Sequence, residues 1–124
     1  MDSKGEIIIY QNKENKVSLN VRLEDENVWL TQANLVDLYQ SSKSNVSEHI
    51  KHIFEEGELT ENAVVRKFRT TASDGKNYET TFYNLDLIIS LGYRIKSRIA
   101  TQFGIWATQR LKEYIIKGFT MDEM

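Results

Sequence analysis

Two β-rich runs, Val64 to Thr71 and Tyr78 to Tyr83, flank the tetrapeptide Ser73-Asp74-Gly75-Lys76. An Asp-Gly pair between two such runs is the strongest short-range signal for a β-hairpin, because both residues tolerate the positive φ that a tight turn demands. The pattern predicts a hairpin over residues 63–84. Four basic side chains, Arg66, Lys67, Arg69 and Lys76, fall on its strands or tip. A second hairpin is legible upstream. Val17, Leu19, Val21 and Leu23 alternate with Ser18, Asn20 and Arg22, the period of a half-buried strand. Preceded by GEIIIY and the polar QNKENK, they predict a hairpin over residues 6–23. Residues 24–27 form a further turn, with Val28 and Trp29 in a short returning segment.

Between the hairpins runs WLTQANLVDLYQSSKSNVSEHIKHI, Trp29 to Ile53. Thr31 is positioned to cap a helix whose apolar face is Leu35, Leu38 and Tyr39. Ser41 and Ser42 supply the turn or the cap of a second helix, with Val46, Ile50, Ile53 and Phe54 as its stripe and Gly57 as its stop. The last third reads as two helices over residues 85–118. The first, LDLIISLGYRI, is apolar on most sides. The second is long and amphipathic through Ile99, Phe103, Trp106, Ala107, Leu111, Tyr114 and Ile115, and is expected to end at Gly118. The expectation is one α+β domain over residues 1–124. Its order is N-terminal β-hairpin, helix-turn-helix over 31–56, β-hairpin wing and two C-terminal helices, a winged-helix-like arrangement.

Composition narrows the function. The chain has no cysteine, which excludes disulfides, thiolate nucleophiles and zinc-finger frameworks. No apolar run approaches the ~20 residues that cross a bilayer, and the N-terminus lacks a signal-peptide pattern, so a cytoplasmic location is expected. His49 and His52, with Glu48 and Glu56 near them, lack the third ligand that a zinc site needs. No nucleophile elbow or phosphate-binding glycine loop is present. The expectation is a protein that is not an enzyme and carries neither cofactor nor metal.

The formal net charge of −2 averages two unlike halves. Residues 1–62 carry 12 acidic and 6 basic side chains, whereas residues 63–124 carry 6 acidic and 10 basic. Since charges are screened beyond ~10 Å at moderate salt, a phosphate senses the local face rather than the total.

A helix-turn-helix reads DNA through the outward and N-terminal residues of its second helix. With Val46 at the centre of the buried face, ~100° per residue turns Ser44, Glu48 and Lys51 outward, with Asn45, Ser47 and His52 on the flanks. Asn, Glu, Ser and Lys can all meet base edges or phosphates. The candidate nucleic-acid contacts are therefore Lys43, Ser44, Asn45, Ser47, Glu48 and Lys51 on the second helix. Arg66, Lys67, Arg69 and Lys76 on the wing would meet phosphates. Two features oppose this reading: Gln40 and Ser41 replace the tight-turn glycine of many such motifs, and Glu55, Glu56, Glu58 and Glu61 follow the helix directly. Arg94, Lys96, Arg98, Arg110 and Lys112 read as the wet face of the last helices, as further DNA contacts, or as a homodimer seam.

The blocks EIIIYQ, VRLEDENVWLTQANLVDLY, HIKHIFEEGEL, TTASDGKNYETTFYNLDLIISLGYRIKS and TQFGIWATQRLKEYIIKGF together resemble the bacterial virulence-associated RhuM family, over Gly5 to Phe119. Members are usually longer, so the resemblance implies an N-terminal domain or a piece of a longer protein. It also implies DNA binding, which agrees with the reading of residues 29–53 as a helix-turn-helix that meets double-stranded DNA. A fainter similarity, carried by Phe103, Trp106, Leu111, Ile115, Lys117 and Gly118, is to the end of the Bro-N domain of phage antirepressors. That similarity implies an alternative, a protein-interaction module that meets another regulator without touching DNA.

Overall fold

The computed structural model describes residues 5–14 and 16–122, with side chains described as far as Ile116. The alternation in Val17–Glu24 (β2) builds the centre of the fold. Val17, Leu19, Val21 and Leu23 are buried on one face, while Ser18 and Asn20 are exposed on the other. Glu6–Asn12 (β1) lies antiparallel to β2 in unbroken register, from Glu6 opposite Leu23 to Asn12 opposite Val17. Asn27–Leu30 (β3) returns along the other side of β2 after the two-residue turn Asp25-Glu26. Both turn residues have positive φ, 54° and 57°, the type I′ geometry that suits the twist of the strands.

The Asp-Gly hairpin forms as expected, from Val65–Thr71 (β4) and Asn77–Asn84 (β5). The Gly75 amide donates to the Ala72 carbonyl, and Gly75 itself sits at φ +83°. The sheet order is β1-β2-β3-β5-β4. Only Tyr83 and Asn84 of β5 pair with β3, through Leu30 and Trp29. The rest of β5 is paired to β4 alone, so the hairpin stands out from the sheet as a two-stranded ribbon. It begins two residues later than the sequence suggests. Residues 61–64 form a short helix, α3 (Glu61–Val64), which buries Val64 before the strand starts.

The helices cover one face of the sheet. In Gln32–Tyr39 (α1), Thr31 Oγ1 accepts from the Asn34 amide while Asn34 Oδ1 accepts from the Thr31 amide, a reciprocal cap. α1 buries Leu35, Leu38 and Tyr39, as its pattern predicts. Lys43–Glu55 (α2) buries Val46, Ile50 and Ile53. It ends in a Schellman motif with Gly57 at φ +76°, its closing bond running from the Glu58 amide to the Ile53 carbonyl.

Leu85–Ile95 (α4) lies beneath, capped by Asn84. At buried Gly92 the helices approach closely, since a Cβ there would overlap the Tyr39 hydroxyl and lie 2.5 Å from Ala100 Cβ. The Tyr39 hydroxyl donates to the Ile88 carbonyl at 2.6 Å. Burial pushes its pKa well above the usual tyrosine range.

Ser97–Asp122 (α5) packs Ile99, Ala100, Phe103 and Ala107 into the core. Its helix does not stop at Gly118. A glycine costs about 1 kcal/mol inside a helix, yet it ends one only where the chain turns left-handed, and no proline follows.

Candidate nucleic-acid interface

The link between α1 and α2 is the three residues Gln40, Ser41 and Ser42. Gln40 takes the left-handed conformation usually given to glycine, at φ 49°, ψ 51°. The Gln40 amide donates to Asp37 and the Ser41 amide to Val36, which closes α1 in a Schellman motif. Ser42 then caps α2 by accepting from the Asn45 amide at 3.0 Å. A helix-turn-helix segment thus forms without the glycine whose absence counted against it.

On α2, Lys43, Ser44, Ser47, Glu48 and Lys51 are all exposed. Asn45 is half-buried, and its amide nitrogen donates to Ser41 Oγ at 2.8 Å, so this side chain braces the turn. Lys51 lies 3.9 Å from Glu55 one turn on. His49 and His52 are half-buried, and no third ligating side chain joins them among the described residues.

The acidic cluster lies at the far end of the helix and is partly neutralised there. Arg94 of α4 donates to Glu56 at 2.7 Å and to Glu58 at 2.8 Å, and Ser90 donates to Glu58 as well. The Arg94 and Ser90 contacts hold the Glu58 carboxyl below the usual range. The N-terminal turn of α2 is separated from this cluster by the length of a 13-residue helix, ~20 Å.

The ribbon divides its basic residues between the two faces of the sheet. Val65 lies opposite Tyr83, which lies opposite Leu30 of the main core, so Val65, Lys67 and Arg69 share the helix-bearing face. Arg66 sits on the reverse face with Phe68, Phe82 and Trp29, a small aromatic cluster of its own. Its guanidinium is 4.8 Å from the centre of the Trp29 ring, and it forms an ion pair with Asp25 in the I′ turn. Arg22 covers the same cluster, 4.2 Å from the centre of the Phe68 ring, and pairs with Glu24 at 2.8 Å. Arg66 is thus set apart from Lys67 and Arg69. Lys76 lies exposed just beyond the tip.

A groove of about 500 Å³ joins the helix-turn-helix to the ribbon, lined by Gln32, Ala33, Asp37, Lys43, Thr80 and Thr81 among others. Gln32 and Thr81 were not singled out from sequence, because only the folded sheet brings residues so far apart together. Among the basic residues of the last helices, Arg98 pairs with Glu14 at 2.8 Å and Arg110 with Glu113 at 3.0 Å. Together with Arg94 they are engaged within the chain.

These elements make a small α+β domain, a five-stranded antiparallel sheet in which two helices joined by a three-residue turn lie beside a projecting ribbon. Residues 63–124, half of the chain, match the virulence protein RhuM family. The chain belongs to that family. No curated protein and no solved structure matches it significantly. Among the described residues, no helix is long and apolar enough to cross a membrane.

Proposed function

We propose that this domain binds double-stranded DNA with sequence selectivity, presenting α2 to the major groove and the β4–β5 ribbon to the flanking phosphates. The observation that carries the reading is the shared side of the sheet. Lys67 and Arg69 lie on the face that bears the helices, and one groove runs from Lys43 to Thr81. Phosphate contacts from Lys43, Lys67, Arg69 and Lys76 would fix register, while Ser44, Ser47, Glu48 and Lys51 meet base edges. Asn45 acts through the turn it braces. Selection of bound duplexes from a random pool, followed by anisotropy titrations at several salt concentrations, tests the proposal. The expected result is an enriched motif with salt-dependent affinity; flat titrations for every duplex would end it.

A second reading, a protein-interaction module like the antirepressor domains, is favoured by one observation. Between α4 and α5 lies a groove of about 580 Å³ lined by Leu85, Ile89, Tyr93, Gly104 and Ile105 among others. Tyr93 and Ile105 are 60% and 66% exposed. Selective DNA binding that survives Ile105→Glu, with no effect on regulation, would count against this reading.

A further inference from the structure

The two edges of the sheet differ in character. The β4 edge carries Arg66, Lys67 and Arg69 within seven residues, the charged sequence by which natural sheets discourage further strands. The β1 edge carries less, its one charged residue being Glu6 at the start. Glu6–Asn12 contains no lysine, arginine or proline, and its register with β2 is unbroken, so no bulge twists it away. Ile7 and Ile9, which point to the sheet face without helices, are 54% and 60% exposed. Among the described residues, no strand lies on the outer side of β1.

We propose that β1 is a self-association edge, on which a second copy of this chain lays its own β1 antiparallel and joins the two five-stranded sheets into one. A strand edge is chemically a receptor for another strand, since its outward amide and carbonyl groups are satisfied by a partner's. The sequence of β1 fits its own reverse. Ile9 is the midpoint of Glu6–Asn12, apolar residues surround it, an acid stands at one end and Lys13 follows the other. Antiparallel pairing about Ile9 sets each Glu6 opposite the partner's neutral Asn12, with the partner's Lys13 one position further along and, by strand alternation, on the reverse face. Parallel pairing would set Glu6 against Glu6. The antiparallel register also gathers Ile7 and Ile9 of both copies into one apolar stripe, removing the most exposed isoleucines of the sheet from water. This inference does not depend on DNA binding.

Sedimentation velocity over a concentration series tests it. The expected result is a concentration-dependent dimer, weakened at least about tenfold by Ile9→Lys with the circular dichroism spectrum unchanged. Because Ile9 is exposed, that variant is expected to fold.

The register has its own test, since the chain lacks cysteine. Directly opposed cross-strand Cβ atoms lie ~5 Å apart, so Ile9→Cys should cross-link to itself on mild oxidation. In Ile7→Cys the two thiols would be four residue steps apart, roughly 13 Å, and should not cross-link. A chain that is monomeric at every concentration, a dimer indifferent to Ile9→Lys, or equal cross-linking of the two cysteine variants would each overturn the proposal.

Discussion

Arg66 stacks on Trp29, while its neighbour Lys67 points from the opposite face of the same strand. One residue of separation thus divides an arginine held against the aromatic cluster from a lysine exposed on the other face. Arg66→Ala should lower stability by about 1 kcal/mol, through loss of the cation–π contact and of cover over the aromatic cluster. Chemical denaturation measures that loss. Anisotropy should show the DNA salt slope unchanged in this variant.

Lys67→Ala and Arg69→Ala should behave in the opposite way. Each is exposed, so unfolding midpoints should move little. Each should weaken binding to all duplexes alike and reduce the slope of log affinity against log salt by about 1. Glu48→Gln should instead leave the slope alone and alter the motif recovered from a random pool.

Two glycines of the last helices should respond differently to alanine. Gly92→Ala would force a methyl against the Tyr39 hydroxyl and the Ala100 side chain in a filled core, and should cost about 2 kcal/mol or more. Gly104→Ala would meet only the tip of half-buried Ile89, at 3.0 Å. That side chain has room to move, so the gain in helix propensity should prevail and stability should rise by up to about 1 kcal/mol. Thermal unfolding of the two variants separates the cases.

Gln40→Gly should stabilise the domain by about 1 kcal/mol, because glycine takes the left-handed conformation without the penalty a side chain carries. A thermal melt of this variant should therefore shift upward.

The tie between α4 and the end of α2 should be sensitive to acid. The folded pKa of Glu58 lies below its ordinary value of 4.5. The contribution is therefore complete above that value and is lost as pH falls through the lower folded one. In Arg94→Gln the Glu58 carboxyl should titrate at higher pH, as NMR of its side-chain carbon would show, and acid unfolding should lose part of its steepness.

Local features were legible in the sequence where one short range of residues decides the structure. The hairpin about Asp74-Gly75, in which Gly75 alone takes positive φ, the alternation from Val17 to Leu23, the Thr31 cap and the Gly57 stop all formed, and of the two roles open to Ser42 the structure takes the cap. The short helix at Glu61–Val64 was not legible, since four residues offer no periodicity. Sheet order was hidden too, because nothing local in Trp29 or Leu30 announces pairing with residues more than fifty positions away. The sorting of the ribbon's charges could have been read. Phe68 is the apolar residue between basic ones, and strand alternation puts Arg66 on its face and Lys67 and Arg69 on the other. The pairing of Arg94 with Glu56 and Glu58 left no such trace, and counting acids after α2 therefore overstated their reach.

The turn between α1 and α2 has a mechanical consequence. Its amides at Gln40 and Ser41 are bonded back into α1, and Ser42 is bonded forward into α2. Asn45 clamps the middle by its bond to Ser41. These bonds tie the turn to both helices and hold the angle between them. Any surface that meets α2 must conform to an angle already set by the chain. The ribbon is tied more lightly, since β5 pairs with β3 at two positions and with β4 along the rest of its length.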